Sequence, residues 1–167
     1  FAMSTIVALS TPRGRGALAV IRLSGPDAIA IARRLSGVDD VEPRHATLVT
    51  LRRPKGGDEL DQVLLTCFNA PHSLTGEDVV EISCHGSPAV IRQILDRSLD
   101  LGAVLASPGE FTLRSLANGK INLSQAEAIR DLISAQTEVA VKQAARQVGG
   151  ELSHLLEDYK RKLIDVI

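Results

Sequence analysis

Three charged side chains stand where ordinary packing would not put them. Side chains alternate between faces along a strand. In the apolar stretch 17–23, Ala17, Ala19, Ile21 and Leu23 therefore share one face, and Leu18, Val20 and Arg22 the other. The stretch 78–85 repeats the pattern: Val80, Ile82 and Cys84 face one way, while Glu81 stands mid-strand between Val79 and Ser83 on the other. If both strands lie in one sheet, Arg22 and Glu81 share a cleft. A carboxylate there accepts two parallel N–H bonds from an aminopyrimidine-type ring, and an arginine holds an anionic tail. That is binding chemistry, not catalysis. Lys120 follows the turn Asn118-Gly119, precedes a helix start, and can reach a carboxylate ligand. Each residue also has a plainer reading: an arginine snorkelling from a sheet edge, a glutamate on a solvated strand face, an exposed loop lysine.

The remaining reactive residues form no recognisable centre. Glu77 and Asp78 are adjacent acids and Glu81 is a third, but they lack the ligand spacing of a calcium loop. His45, His72, His85 and His154 are scattered. Cys84 and His85 point to opposite faces if 78–85 is a strand, a poor joint metal site. Cys67 and Cys84 form neither a disulfide framework nor a CxxC pair, and read as reduced, buried thiols. Gly14-Arg15-Gly16 is followed by a strand rather than a helix, so it is no phosphate loop. GxxxxGK[ST], GxSxG and HExxH are absent from the sequence, which leaves no catalytic and no metal-ligating residue to assign.

The elements that must position Arg22, Glu81 and Lys120 follow from turn chemistry and periodicity. Strands are expected over 5–10 and 17–23 around the loop 11–16, then over 45–53 and 62–68 around a turn at 54–59, then over 78–85, with a short one at 104–105. A helix starts at Ser24-Gly25-Pro26-Asp27, with Ser24 as the cap. It carries Ile29, Ala32, Arg33 and Leu35 and ends at Gly37. Ser87-Pro88 opens a second helix with Val90, Ile91, Ile94, Leu95 and Leu99 on one face, and Ser107-Pro108-Gly109-Glu110 a third. The order β-β-α-β-β-β-α-β-α means paired strands with few crossovers, an α+β domain. Past Asn118-Gly119 the texture becomes purely helical. Asn122 and Gln125 have capping-box spacing, and Leu123, Ala126, Ile129, Leu132 and Ile133 form an apolar stripe. A second helical stretch runs from Glu138 through Leu152, Leu155, Leu156, Leu163 and Ile167, weakened at Gly149-Gly150. The expected division is 4–119 and 120–167, the second part needing more chain or a second copy to bury its stripes.

Composition bounds the function. Of 167 residues, 19 are Lys or Arg and 20 Asp or Glu, for a net charge of −1, which excludes a strongly basic nucleic-acid clamp. Three Phe, one Tyr and no Trp are too few rings for a single-strand stacking platform. Aliphatic side chains and alanine must fill the core. No apolar run approaches 18 residues, so no membrane span is expected, nor is a signal peptide, because Thr11-Pro12-Arg13 breaks the first apolar stretch. Phe1-Ala2 before Met3 reads as a remnant of cloning.

Several blocks, in order, resemble one family. They are Thr5-Ile6-Val7-Ala8, 11–17 and 21–26 near the start; Ala70-Pro71-His72-Ser73-Leu74-Thr75-Gly76-Glu77-Asp78-Val79-Val80-Glu81 and Cys84-His85-Gly86; then Pro108-Gly109-Glu110-Phe111-Thr112 with Arg114, Asn118-Gly119-Lys120, and 123–128. Together they resemble the N-terminal part of the bacterial tRNA modification GTPases of the MnmE (TrmE) family. The resemblance implies a mixed-sheet α+β domain that binds tetrahydrofolate, similar to the folate domains of aminomethyltransferases, followed by the first helices of a helical domain. The family's folate-contacting arginine, glutamate and lysine fall on Arg22, Glu81 and Lys120.

The resemblance further implies a cytoplasmic homodimer joined through the N-terminal domain. It implies a flavoprotein partner, MnmG (GidA), and modification of the wobble uridine (U34) of certain tRNAs. The one-carbon donor would be 5-formyltetrahydrofolate or 5,10-methylenetetrahydrofolate. The family's GTPase domain, with its GTP, Mg2+ and K+, and its C-terminal Cys-x-Gly-Lys motif have no counterpart in these residues. Cys67 and Cys84 therefore inherit no catalytic role, and no GTP hydrolysis is expected of this chain alone. Two other readings stand beside this one: a purely structural dimerisation module, and a free-standing folate-dependent aminomethyltransferase.

Overall fold

A computed structural model describes residues 4–53 and 57–149. It contains six strands, β1 (Ile6–Leu9), β2 (Leu18–Ser24), β3 (Thr47–Arg52), β4 (Glu59–Phe68), β5 (Val79–His85) and β6 (Val104–Leu105). The helices are α1 (Ala28–Ser36), α2 (Pro88–Asp100), α3 (Glu110–Ala117), α4 (Leu123–Ser134) and α5 (Glu138–Val148). The element order is the expected one. The residues divide into two compact units between Arg114 and Ser115. Leu152, Leu155, Leu156, Leu163, Ile167, Gly150 and His154 lie outside the described residues.

In the first unit the strands form one mixed sheet in the order β3-β4-β5-β2-β1-β6. All neighbours are antiparallel except β1 and β6, which are parallel. Alternation along each strand sends Ala19, Ile21 and Leu23, then Val80, Ile82 and Cys84, then Val63, Leu65 and Cys67 into a single core cluster. Helices α1 and α2 cover that face through Ala28, Ile31, Ala32, Leu35, Ile91 and Ile94. The core is aliphatic, as the shortage of rings requires. The opposite face carries Arg22 and Glu81, half-buried, and the exposed leucines Leu18, Leu48 and Leu64.

Local details depart from the expected pattern in four places. Ser24 does not cap α1. It is the last residue of β2, fully buried, and Asp27 is the N-cap without a side-chain cap bond; its N–H instead donates to Thr5 Oγ1 at 2.8 Å. Ser24 is bound by side-chain partners brought from residues 75–77, which local spacing cannot reveal. The buried stripe of α1 is Ala28, Ile31, Ala32 and Leu35, with Arg33 exposed, because these four lie on the helix face turned onto the sheet. Strand β4 starts at Glu59 rather than Gln62, carried past a register shift at Leu51/Arg52. Arg22 is not on a sheet edge, since β2 lies between β5 and β1.

Two helix ends follow the expected chemistry. Gly37 ends α1 in the left-handed region at φ 71°, with its N–H donating to the Arg33 carbonyl. Ser87 is the N-cap of α2, with Pro88 in its first turn. In the second unit the capping box is complete: Asn122 Oδ1 accepts from Gln125 N at 2.9 Å, and Gln125 Oε1 accepts from Asn122 N at 3.0 Å. Helices α4 and α5 pack together, with Ala128 and Ala144 buried. The expected stripe on α4 is not buried as a whole, and Leu123 and Ile133 are exposed. Among the described residues no helix is long and apolar enough to cross a membrane.

Ile82 is fully buried on β5, which has strands on both sides. Truncation there removes transfer energy and leaves a cavity. Ile82→Ala is expected to lower unfolding free energy by about 2–5 kcal/mol, read as a shifted urea midpoint.

Candidate ligand site on the open sheet face

The register of β2 against β5 puts Arg22 directly opposite Glu81. The two meet rather than stand apart. Arg22 Nε–H and Nη2–H both donate to Glu81 Oε1, at 2.9 and 2.6 Å. Their side chains are 25% and 31% exposed, enough water to screen the pair, so it orients more than it stabilises. Among the described residues Glu81 Oε2 accepts no hydrogen bond, and Arg22 Nη1 donates none. The ring of Phe111 lies 5.8 Å from Arg22 Cζ, within cation–π range. The pair therefore holds a carboxylate plane fixed while one carboxylate oxygen and the Nη1 end of the guanidinium remain available to a ligand.

One end of this face is locked by a second ion network. Arg114, only 11% exposed, donates through Nη1 to Glu77 Oε2 at 3.1 Å and Oε1 at 3.2 Å, and to the Ser4 carbonyl at 2.9 Å. Its Nη2 donates to Glu110 Oε1 at 3.0 Å. Ser24 donates its single hydroxyl proton to Glu77 Oε2 at 2.7 Å, so the 2.6 Å bond between Ser24 and Thr75 must take its proton from Thr75. These contacts tie β2, the 70–78 segment and α3 into one rigid corner. Glu77, one of the adjacent acids whose spacing in the sequence does not suit a metal, is thus bound to arginine and serine. Among the described residues no cluster of three or more His, Cys, Asp or Glu is placed to hold a metal.

Of the three residues singled out from sequence, the structure brings Arg22 and Glu81 together. Lys120 belongs to the second unit, where its N–H donates to the Ser115 carbonyl at 2.8 Å. Sequence reasoning missed the partners Glu77, Ser24, Thr75 and Arg114. Thr75 is 51 positions from Ser24, and Arg114 is 37 from Glu77, so no local signal joins them. All four nevertheless stand in the blocks that carry the family resemblance. Cys67 and Cys84 are buried and free. Burial, with a smaller contribution from the Asp61 carboxylate, pushes the Cys84 thiol up to about 11, and burial also raises Cys67. Burial thus works against the thiolate, the nucleophilic form, at both positions.

Similarity to known proteins decides the lineage. Residues 5–120 match the family described as GTP-binding protein TrmE N-terminus, and residues 123–167 match the MnmE helical domain. The chain belongs to the MnmE (TrmE) family. Relatives named tRNA modification GTPase MnmE include that of Koribacter versatilis, 45% identical over 167 residues that make up 98% of this chain and 37% of that protein. The MnmE of Wolinella succinogenes is 47% identical over 163 residues, 98% of this chain and 36% of that protein. That of Legionella pneumophila (strain Corby) is 47% identical over 163 residues, 97% of this chain and 36% of that protein. The chain thus spans little more than a third of the length of these MnmE proteins.

The Glu110 carboxylate is held below the usual carboxylate range, first by the N–H of Ser107, which donates to Oε2 at 2.7 Å, and then by Arg114. A carboxyl whose folded-state pKa is depressed adds stability that is present above its unfolded pKa and is lost as pH falls through the folded value. Thermal melts of wild type and Glu110→Gln are therefore expected to differ at pH 7, with the variant less stable, and to converge in strong acid.

Proposed function

We propose that this chain is the tetrahydrofolate-binding and homodimerisation module of a tRNA wobble-uridine modification GTPase. The observation that carries the folate reading is Glu81: one oxygen is fixed by Arg22, and the other has no partner among the described residues. A reduced pterin presents adjacent ring N–H and amino donors, the complement of such a carboxylate. In this reading Glu81 holds the pterin edge, Arg22 orients Glu81 and offers its Nη1 N–H groups to the ligand, and Lys120 meets an anionic group of the folate. When bound, 5-formyl- or 5,10-methylenetetrahydrofolate supplies the one-carbon unit. GTP hydrolysis, the flavoprotein partner MnmG and the tRNA substrate belong to the whole protein, in the cytoplasm.

Isothermal calorimetry with 5-formyltetrahydrofolate tests the site. Wild type is expected to bind, and Glu81→Ala to bind at least tenfold more weakly, because a hydrogen bond to a charged group contributes about 1.5–3 kcal/mol. Equal affinity in both proteins rejects the role of Glu81.

The dimerisation reading is supported by Leu18, Leu48 and Leu64, exposed on the sheet face that α1 and α2 leave open. Leu48 and Leu64 are cross-strand partners, which makes the apolar surface continuous there. Sedimentation velocity is expected to give a dimer for wild type and a monomer for Leu48→Asp/Leu64→Asp. A dimer in both shifts the interface elsewhere.

A further inference from the structure

The β1–β2 loop, residues 11–16, separates two adjoining cavities of the first unit that meet at Pro88. One, about 480 Å3, is rimmed by Arg13, Arg92 and Asp96 over an aliphatic floor that includes Leu95 and Leu99. The other, about 610 Å3, is lined by Arg15 and His85 beside the start of α2. Arg13, Arg15 and Arg92 are exposed and make no hydrogen bond or ion pair among the described residues, whereas Arg22 and Arg114 are committed to carboxylates. In a chain of net charge −1, three uncommitted guanidinium groups thus line one edge, and among the described residues Asp96 is the one acid that lines either cavity.

The scaffold beneath them is pinned. Gly16 N–H donates to the Gly86 carbonyl and Gly86 N–H to the Ala17 carbonyl, each at 3.2 Å. A Cβ on Gly86 would sit 2.4 Å from the Gly16 carbonyl oxygen, so only glycine permits this approach. His85 is also fixed: its backbone N–H and ring Nδ1 both bond the Asp61 carboxylate, at 2.9 and 2.6 Å. Asp61 is 8% exposed and the His85 ring 67%, so Nε2 is the ring nitrogen left to a partner.

We propose that this edge is a docking surface for the phosphodiester backbone of RNA, held by Arg13, Arg15 and Arg92 with His85 beside them. The proposal rests on the reading of the chain as part of a tRNA-modifying protein. Guanidinium forks match phosphate oxygens geometrically. Among the described residues no Phe or Tyr lines either cavity, so what they offer there is charge without base stacking, a grip on RNA independent of sequence.

The test is fluorescence anisotropy of the chain with a labelled, unmodified tRNA between 50 and 200 mM KCl. Wild type is expected to bind with affinity that falls as salt rises. Arg13→Ala/Arg15→Ala/Arg92→Ala should bind more weakly, with a log–log salt slope shallower by about 2–3, since each arginine neutralises one phosphate. The double variant Arg33→Ala/Arg34→Ala, which removes exposed charges from α1, should keep the wild-type slope. No tRNA binding by wild type, an unchanged slope in the triple variant, or an equal loss in both variants overturns the proposal. Loss of poly-glutamate binding by the triple variant with an unchanged tRNA slope overturns it in favour of an acidic protein partner. Calorimetry with 5-formyltetrahydrofolate separates this surface from the folate site: the triple variant should titrate as wild type does, whatever that result is.

Discussion

The first unit depends on the pairing of β2 with β5. Seven residue pairs, from Leu18↔His85 to Ser24↔Val79, join the two strands, whose facing residues Arg22 and Glu81 are 59 positions apart in sequence. A slip of one residue would turn the slipped strand over, moving Ile21 or Ile82 out of the core and burying the guanidinium or the carboxylate in its place. The hydrophobic demand on one face and the ion pair on the other thus specify the same register. Because α1 and α2 cover the face opposite Arg22 and Glu81, the charged pair can remain half-hydrated without breaking the core. The site is in this sense the reverse side of the packing that makes the domain stable.

The corner built by Arg114 complements that pairing. Glu77 accepts from Arg114 and from Ser24, so the last residue of β2 is joined to α3 through a single carboxylate. Burying Arg114 is tolerable because its N–H groups find carboxylate or carbonyl acceptors. Phe111, on the same helix, lies against Arg22. Fixing α3 therefore also fixes the aromatic wall of the candidate site, an arrangement in which a structural ion network positions a binding group it does not touch.

Much of this was legible in the residues. Period-two alternation identified the faces of β2 and β5, and with them Arg22 and Glu81 as anomalies; Gly37, Ser87-Pro88 and the Asn122–Gln125 box marked helix ends through local chemistry that tertiary context did not override. What could not be read was long-range. Ser24 has the profile of a helix cap, yet its hydroxyl is claimed by residues about fifty positions away. His85 offers no sequence clue to Asp61, and α4 buries Ala128 while leaving Leu123 outside. That Arg22 and Glu81 bond each other, rather than flank an open cleft, required the register itself.

The sheet's two margins have a consequence for how this protein avoids misassembly. One margin is β6, only two residues long, and the other is β3, interrupted by a register shift next to Arg52. An edge that is short, irregular or charged is a poor template for adding a foreign strand. Exposed leucines on a broad face would normally invite runaway polymerisation if the margins could also zip together. With both margins blunted, the exposed leucines of the open face lie beside no long, regular edge at which a foreign strand could add and propagate.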